Sequence, residues 1–376
     1  MYKRHKLFWK VVQPMVKVFL RIKFGYTFKK AEGLPDKYIV LSNHTTDYDP
    51  LFVASSFDEH MYYVASEHVA RWGYLSKLMN YWLAPIVRYK GTTATVTVME
   101  MLRKIRDGAN VCMFAEGARS WDGMTDKFLP STGKVVKSAR CGLVTYRIEG
   151  GYFVSPRWST SNMRRGRIHG TPVNIYTKEQ LSKMSVDEIN EAIAKDLYED
   201  AYKRQLENPV PYKGKNLAEN MENLLFICPK CGGYDTFTSR GDTVSCKACD
   251  LKFRYTEYGM LEGAPFKTVY ELTKWQTEEA RKAISEDVIF NSPKGTLKTI
   301  ANHVETLVDE GKVSMGKQGI TVGSTNISLE DVQDLNMHGR RGIVFSTKDA
   351  YYELKPEEGT CAYKFHLYYD LYKGNR

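Results

Sequence analysis

A chain of 376 residues exceeds one ordinary domain, so two or three are expected, and its 43% apolar content supplies a core and excludes wholesale disorder. The formal charge of +10 implies an anionic partner: nucleic acid, an acidic membrane surface or a phosphorylated substrate. That charge is unevenly placed. Residues 1–30 carry nine Lys/Arg and no acidic residue, which leaves 45 basic against 44 acidic side chains in the other 346.

The basic arm, 1–30, reads as an amphipathic helix. Lys6, Lys10, Gln13, Lys17 and Arg21 form a polar stripe, and Phe8, Val11, Val12, Met15, Val16, Phe19 and Ile22 face the other way. Pro14 is expected to kink or split it. A cationic stripe opposite an apolar one suits a helix lying in an anionic membrane interface, as a peripheral protein on the cytoplasmic face. The plainer alternative is a helix packed on its own protein. No run of 18 apolar residues is present to span a bilayer, and the arm is too interrupted by charge to read as a secretory signal.

From 31 to about 220, short β-rich runs alternate with helical patterns. Strands are expected at 38–42, 61–65, 85–88 and 110–115, and helices at 50–57, 68–82, 93–107 and 131–140. The alternation predicts an α/β domain with a largely parallel sheet, whose chemistry should collect at the carboxyl ends of the strands. Strand 38–42 runs into Asn43-His44-Thr45-Thr46-Asp47-Tyr48-Asp49-Pro50, with Asp49 placed to cap the helix that Pro50 opens. A carboxylate holding the Nδ1 proton of His44 would leave Nε2 free as a general base; the plainer alternative is a loop His beside a capping Asp. Beyond strand 110–115 comes Phe114-Ala115-Glu116-Gly117-Ala118-Arg119-Ser120. Gly117 lets the backbone turn tightly around a ligand. Arg119 offers a planar fork for phosphate, and Glu116 would orient it or bind a substrate hydroxyl.

Together, N-H-x4-D and F-x-E-G-x-R-S some 70 residues later closely resemble the glycerolipid acyltransferases of the 1-acylglycerol-3-phosphate type. Ala84-Pro85-Ile86-Val87-Arg88 resembles that family's middle block, and Phe128, Gly133 and Ala139 resemble its following pattern. The likeness covers about 35–170. Ala115 and Ala118 replace the family's Pro and Thr, and the segment 145–149 lacks a Pro that the family carries, so the acceptor pocket is altered. The resemblance implies transfer of a fatty acyl group from acyl-CoA or acyl-carrier protein to the free hydroxyl of a lysophospholipid acceptor, in phospholipid biosynthesis. His44 and Asp49 would be the catalytic pair, with Asn43, Arg88, Glu116, Gly117 and Arg119 binding substrate.

A basic stretch follows at 134–178, suited to headgroups or coenzyme A phosphates, or simply solvated; then a helix opened by Ser185 and Glu188 is expected to reach about Leu206. Cys228-x2-Cys231 and Cys246-x2-Cys249, 14 residues apart, have the spacing of a closed Zn–S4 ribbon, with Phe237, Val244 and Phe253 in its strands. Cys112, Cys141 and Cys361 read as buried thiols. Zinc ribbons also bind nucleic acid, so an adaptor with a degenerate acyltransferase domain is the rival reading. Against it, residues 216–376 carry 20 basic and 23 acidic side chains, a balance unsuited to a phosphate backbone. The last third shows a helix at 267–285, short strands from 288 and a final helix at 363–372, loosely resembling a pleckstrin-homology-like module. The expected organisation is therefore a membrane-binding arm at 1–30, an α/β acyltransferase-type domain at 31–220, a zinc ribbon at 221–262 and a β-rich domain at 263–376.

Overall fold

The computed structural model describes residues 2–66, 74–88, 95–161, 163–301 and 304–374. Two compact units emerge, one from residues 1–89, 93–157 and 163–214, the other from 90–92, 158–162 and 215–376.

The first unit is built on a seven-stranded sheet. Its centre is β2 (Tyr38–Ser42), an apolar run buried along its whole length, as a strand covered on both faces must be. With β1 (Tyr26–Phe28), β3 (Met61–Ser66), β4 (Ile86–Arg88), β5 (Asn110–Phe114), β6 (Gly142–Glu149) and β7 (Ile168–Tyr176), the order is β1-β7-β6-β2-β5-β3-β4. Strands β6, β2, β5, β3 and β4 run parallel, as expected; β7 is antiparallel to β6 and carries β1 on its far side. The later part of the basic stretch, where no strand was expected, thus contains β7. Its pattern was masked by Gly170 and Pro172, and the β6–β7 ladder slips its register where Tyr146 meets Pro172.

Ile39 and Leu41 of β2 join Val111, Leu143, Met101, Ile105, Val136, Ile189 and Ile193 in one core cluster. This covers the sheet with α4 (Thr95–Arg106), α5 (Ser131–Ala139) and α8 (Val186–Leu197). On β2's other face, Tyr38 stacks on Phe57, and Tyr26, Ser56 and Tyr146 share hydroxyl hydrogen bonds beside α2 (Asp49–Ser55). Segments 68–73 and 93–94 of two expected helices lie outside the described residues; α3 (Tyr74–Trp82) and α4 supply the remainder.

The helix opened by Ser185 has its capping box, but α8 ends at Leu197 and α9 (Ala201–Glu207) begins separately, capped by the Asp200 side chain. The break exists because the Glu199 carbonyl accepts from the Thr125 N–H and the Glu199 N–H donates to the Thr125 hydroxyl, which a continuous helix would forbid.

The N-terminal arm is one helix, α1 (Tyr2–Phe24), continuous through Pro14; the expected split is absent. Its packing also departs from the two-faced reading. His5, Trp9, Gln13, Leu20 and Phe24 form a buried seam against the unit's body. Gln13 turns inward because its amide donates to the Ala54 and Phe57 carbonyls at the end of α2, where a helix leaves carbonyls short of partners. Burying Trp9, Leu20 and Phe24 contributes about 2 kcal/mol each. What remains outside is a stripe of Leu7, Val11, Met15, Val18 and Ile22, all well exposed, beside exposed Lys3, Lys6, Lys10 and Arg21. No helix of the described residues is long and apolar enough to cross a membrane.

The second unit opens with a four-stranded antiparallel ribbon of β8 (Phe237–Arg240), β9 (Thr243–Cys246), β10 (Lys252–Tyr255) and β11 (Leu261–Glu262), with Phe237, Val244 and Phe253 buried. α10 (Val269–Ser285) follows; its buried Gln276 accepts from the Phe226 and Ile227 N–H groups and donates to the Leu224 carbonyl, fixing the chain that enters the ribbon.

A seven-stranded antiparallel sheet then forms from β12 (Phe290–Ala301), β13 (Val304–Gly316), β14 (Gly319–Val322), β15 (Thr325–Ile327), β16 (Asp334–His338), β17 (Gly342–Ser346) and β18 (Tyr351–Pro356). Its order is β15-β14-β13-β12-β18-β17-β16, and α11 (Tyr363–Tyr372) closes the chain. The region is β-rich as expected, although β12 and β13, at 12 and 13 residues, are long rather than short. Asp235, just past the first cysteine knuckle, accepts from the buried Lys364 ammonium of α11 and from the Cys361 N–H.

At the seam of α1, His5 Nδ1 meets the Tyr62 hydroxyl, and the His5 and His60 rings lie edge to face 5.7 Å apart. Burial, aided by the charges of His5, Lys104 and Lys6, lowers His60 to about 4. Unfolded histidine titrates near 6.5, so between about 4 and 6.5 only the unfolded chain takes up this proton. His60 therefore adds stability that is complete above pH 6.5 and lost as pH falls towards 4. Urea unfolding should show that decline, at up to about 1.4 kcal/mol per pH unit for one proton. His60→Gln should flatten it; an identical slope in the variant would contradict the account.

Candidate active site

The register Ser42↔Phe114 sets the carboxyl ends of β2 and β5 side by side, so the His44 loop and the Glu116 turn leave the sheet together. The His44 ring stacks on Phe114, with centroids 4.4 Å apart, and its Nδ1 lies 2.9 Å from Asp49 Oδ2. Asp49 is fully buried at the start of α2. It is not the cap predicted from Pro50: Tyr48 holds that position without a side-chain bond. The carboxylate turns back on the loop instead, accepting from the Thr45 and Thr46 N–H groups and both their hydroxyls. Surrounded by donors, it must receive the Nδ1 proton of His44 as well, which leaves Nε2 bare. That nitrogen makes no hydrogen bond among the described residues, and the His44 side chain is 20% exposed.

The residues expected to bind substrate divide into several roles. Asn43 is buried, and its amide both donates to the Ile148 carbonyl and accepts from the Ile148 N–H, so it extends the β2–β6 pairing. Glu116 does not orient Arg119. Its two oxygens accept from the His44 and Asp126 N–H groups, each at 2.7 Å, joining loops that the sequence sets far apart. Burial pushes its carboxyl well above the usual range, opposed by those two N–H donors. Gly117 has φ +67 and open space around it, so conformation rather than crowding requires glycine there.

Arg119 is 9% exposed, with Nε on the Thr45 carbonyl, Nη2 on the Ser155 carbonyl and hydroxyl, and Nη1 on Asp47. Arg88 ends β4 at the same edge of the sheet, paired in register with Ser66. Sequence reading missed Thr45, Thr46, Asp47 and Ser155. The Thr-Thr-Asp run directly after His44 was the available signal, since such side chains habitually bond nearby backbone. Gly151 also belongs here, because a Cβ on it would collide with the Thr45 hydroxyl.

Within the second unit, the Sγ atoms of Cys228, Cys231, Cys246 and Cys249 all lie within 4.8 Å of one another and could hold a metal ion. A tetrahedral zinc about 2.3 Å from each thiolate needs sulfur–sulfur edges of about 3.8 Å. Cys228–Cys249 measures 3.7 Å and Cys231–Cys246 3.8 Å, so the quartet fits. Cys112, Cys141 and Cys361 are buried and form no part of the quartet, and burial raises all three thiols. Elemental analysis should find one zinc per chain, with Cys228→Ser losing it together with thermal stability. A folded, metal-free native chain would contradict this reading.

Residues 26–149 match the family model described as Acyltransferase. Among solved structures, the chain is similar to the 1-acyl-sn-glycerophosphate (LPA) acyltransferase, PlsC, from Thermotoga maritima. That similarity has 16% identity, covers 53% of this chain and 79% of that one, and has a TM-score of 0.44. No curated protein matches the chain. The segment matched by the family model runs from β1 to the end of β6 and contains His44, Asp49, Glu116 and Arg119. Residues 26–149 are therefore an acyltransferase-family domain.

Proposed function

We propose that this protein works at a membrane surface, moving a fatty acyl group from acyl-CoA or acyl-carrier protein to the free hydroxyl of 1-acylglycerol-3-phosphate. The observation that carries the reading is a bare, partly exposed His44 Nε2, set by Asp49 within an acyltransferase domain. A thioester is already activated, so no covalent enzyme intermediate is needed. Nε2 takes the acceptor's hydroxyl proton as that oxygen attacks the thioester carbonyl. The tetrahedral adduct then collapses, the C–S bond breaks, and the imidazolium returns its proton to the departing thiolate. Asp49 keeps the ring oriented and stabilises its cationic form. Arg119, with Arg88 at the same sheet edge, anchors the acceptor phosphate and aligns its hydroxyl. The cysteine quartet holds a structural zinc with no part in these steps.

The exposed apolar stripe of α1 beside its exposed lysines supports a peripheral membrane position, since such a helix buries its apolar side among lipid chains while its cations meet anionic headgroups. A lysophospholipid acceptor resides at such a surface.

His44→Ala should lower thiol release from acyl-CoA with lysophosphatidate by about 10²- to 10⁴-fold, and unchanged turnover would refute the mechanism. For the membrane position, a Val11→Asn, Met15→Asp double variant changes only exposed side chains, Met15 being 70% accessible, so folding should be preserved. It should leave anionic vesicles for the supernatant; continued sedimentation with lipid would move the anchoring surface elsewhere.

A further inference from the structure

Two of the three guanidinium nitrogens of Arg119 are held by backbone and hydroxyl groups, and the third by something replaceable. Its Nε donates to the Thr45 carbonyl and its Nη2 to Ser155, which fixes the plane of the guanidinium. Only Nη1 meets a charge, Asp47 Oδ2 at 2.9 Å. The two partners are unequal: Arg119 is 9% exposed and Asp47 is 75% exposed. A guanidinium stays charged at any working pH, so the buried partner needs a counter-charge while the exposed carboxylate would rehydrate freely on leaving. The Asp47 carboxylate makes no other hydrogen bond among the described residues. The loop around it is clamped independently, with Thr45 and Thr46 bound to Asp49 and the Tyr48 N–H bound to the Thr46 hydroxyl. Asp47 can therefore swing away without disturbing His44.

We propose that Asp47 is a placeholder on Arg119, a counter-charge that holds the guanidinium until the acceptor's phosphate displaces it and that weakens the hold on every anion. This rests on the reading of Arg119 as the acceptor's phosphate anchor. Any anion reaching Nη1 must exchange with a carboxylate of charge −1. A phosphodiester, also a monoanion, replaces like with like. A phosphomonoester approaches −2 above its second pKa of about 6 and brings further acceptor oxygens, so its exchange is favourable. Asp47 thus raises the threshold for every anion by the same amount, and the dianion, which Arg119 holds more strongly, clears it most easily.

The test uses the full-length protein, with inorganic phosphate and dimethyl phosphate as probes, titrated calorimetrically at about pH 7.5 into wild type, Asp47→Asn and Arg119→Gln. Wild type should bind phosphate more tightly than the diester. Asp47→Asn should tighten the binding of both by about threefold or more, since an exposed ion pair opposes binding on that scale. Arg119→Gln should lose phosphate binding. Anion affinities that do not rise in Asp47→Asn, no phosphate binding by wild type, or undiminished binding by Arg119→Gln would each overturn the inference. Acyl transfer to lysophosphatidate and to lysophosphatidylglycerol separates the two claims. Transfer with an unchanged acceptor KM in Asp47→Asn sinks the placeholder and leaves the enzymatic reading standing. Absence of transfer to any acceptor, with the anion results as expected, sinks the enzymatic reading alone.

Discussion

The carboxylate of Asp49 organises the whole candidate site. It lies buried at the head of α2 and gathers the Thr45 and Thr46 N–H groups, both threonine hydroxyls and His44 Nδ1. A buried charge is tolerable only when hydrogen bonds replace its lost water, and here the loop that supplies them is the loop that carries the base. One interaction therefore solvates the carboxylate, fixes the loop and fixes the imidazole tautomer. Remove it, and those four polar loop groups lose their acceptor along with His44.

Around that centre, most residues of the two motifs act on the loop. Glu116 holds the His44 N–H, Asn43 splices β2 to β6 through Ile148, and Arg119 ties the Thr45 carbonyl to Ser155. The site is a cross-braced turn in which β2, β5 and the segment after β6 meet at one end of a parallel sheet. Such bracing is what proton transfer demands: the base must be within hydrogen-bond reach of an acceptor hydroxyl, and its position must not drift.

Much of this was legible in the sequence. Strands β2 and β5 read as short apolar runs ending in polar turns, and a parallel sheet puts such turns at one edge. The cysteine quartet was legible because its spacing alone constrains thiolate geometry. What escaped depended on particular polar partners. Gln13 and His5 face inward on α1 because the carbonyls at the end of α2 and the Tyr62 hydroxyl await them, and no hydrophobicity pattern encodes that. The break between α8 and α9 follows from the Thr125–Glu199 bonds, and β7 was hidden by its glycine and proline. The roles of Asn43 and Glu116 changed for the same reason: sequence identifies the functional group but not the backbone amide that takes it up.

The central claim is an acyl transfer, and the identity of the product tests it most directly. Full-length protein incubated with a carbon-labelled acyl-CoA, lysophosphatidate and anionic vesicles should yield, by mass spectrometry, phosphatidate carrying the label, formed in step with free thiol. Label appearing only as free fatty acid, or remaining wholly on the thioester, would contradict the account.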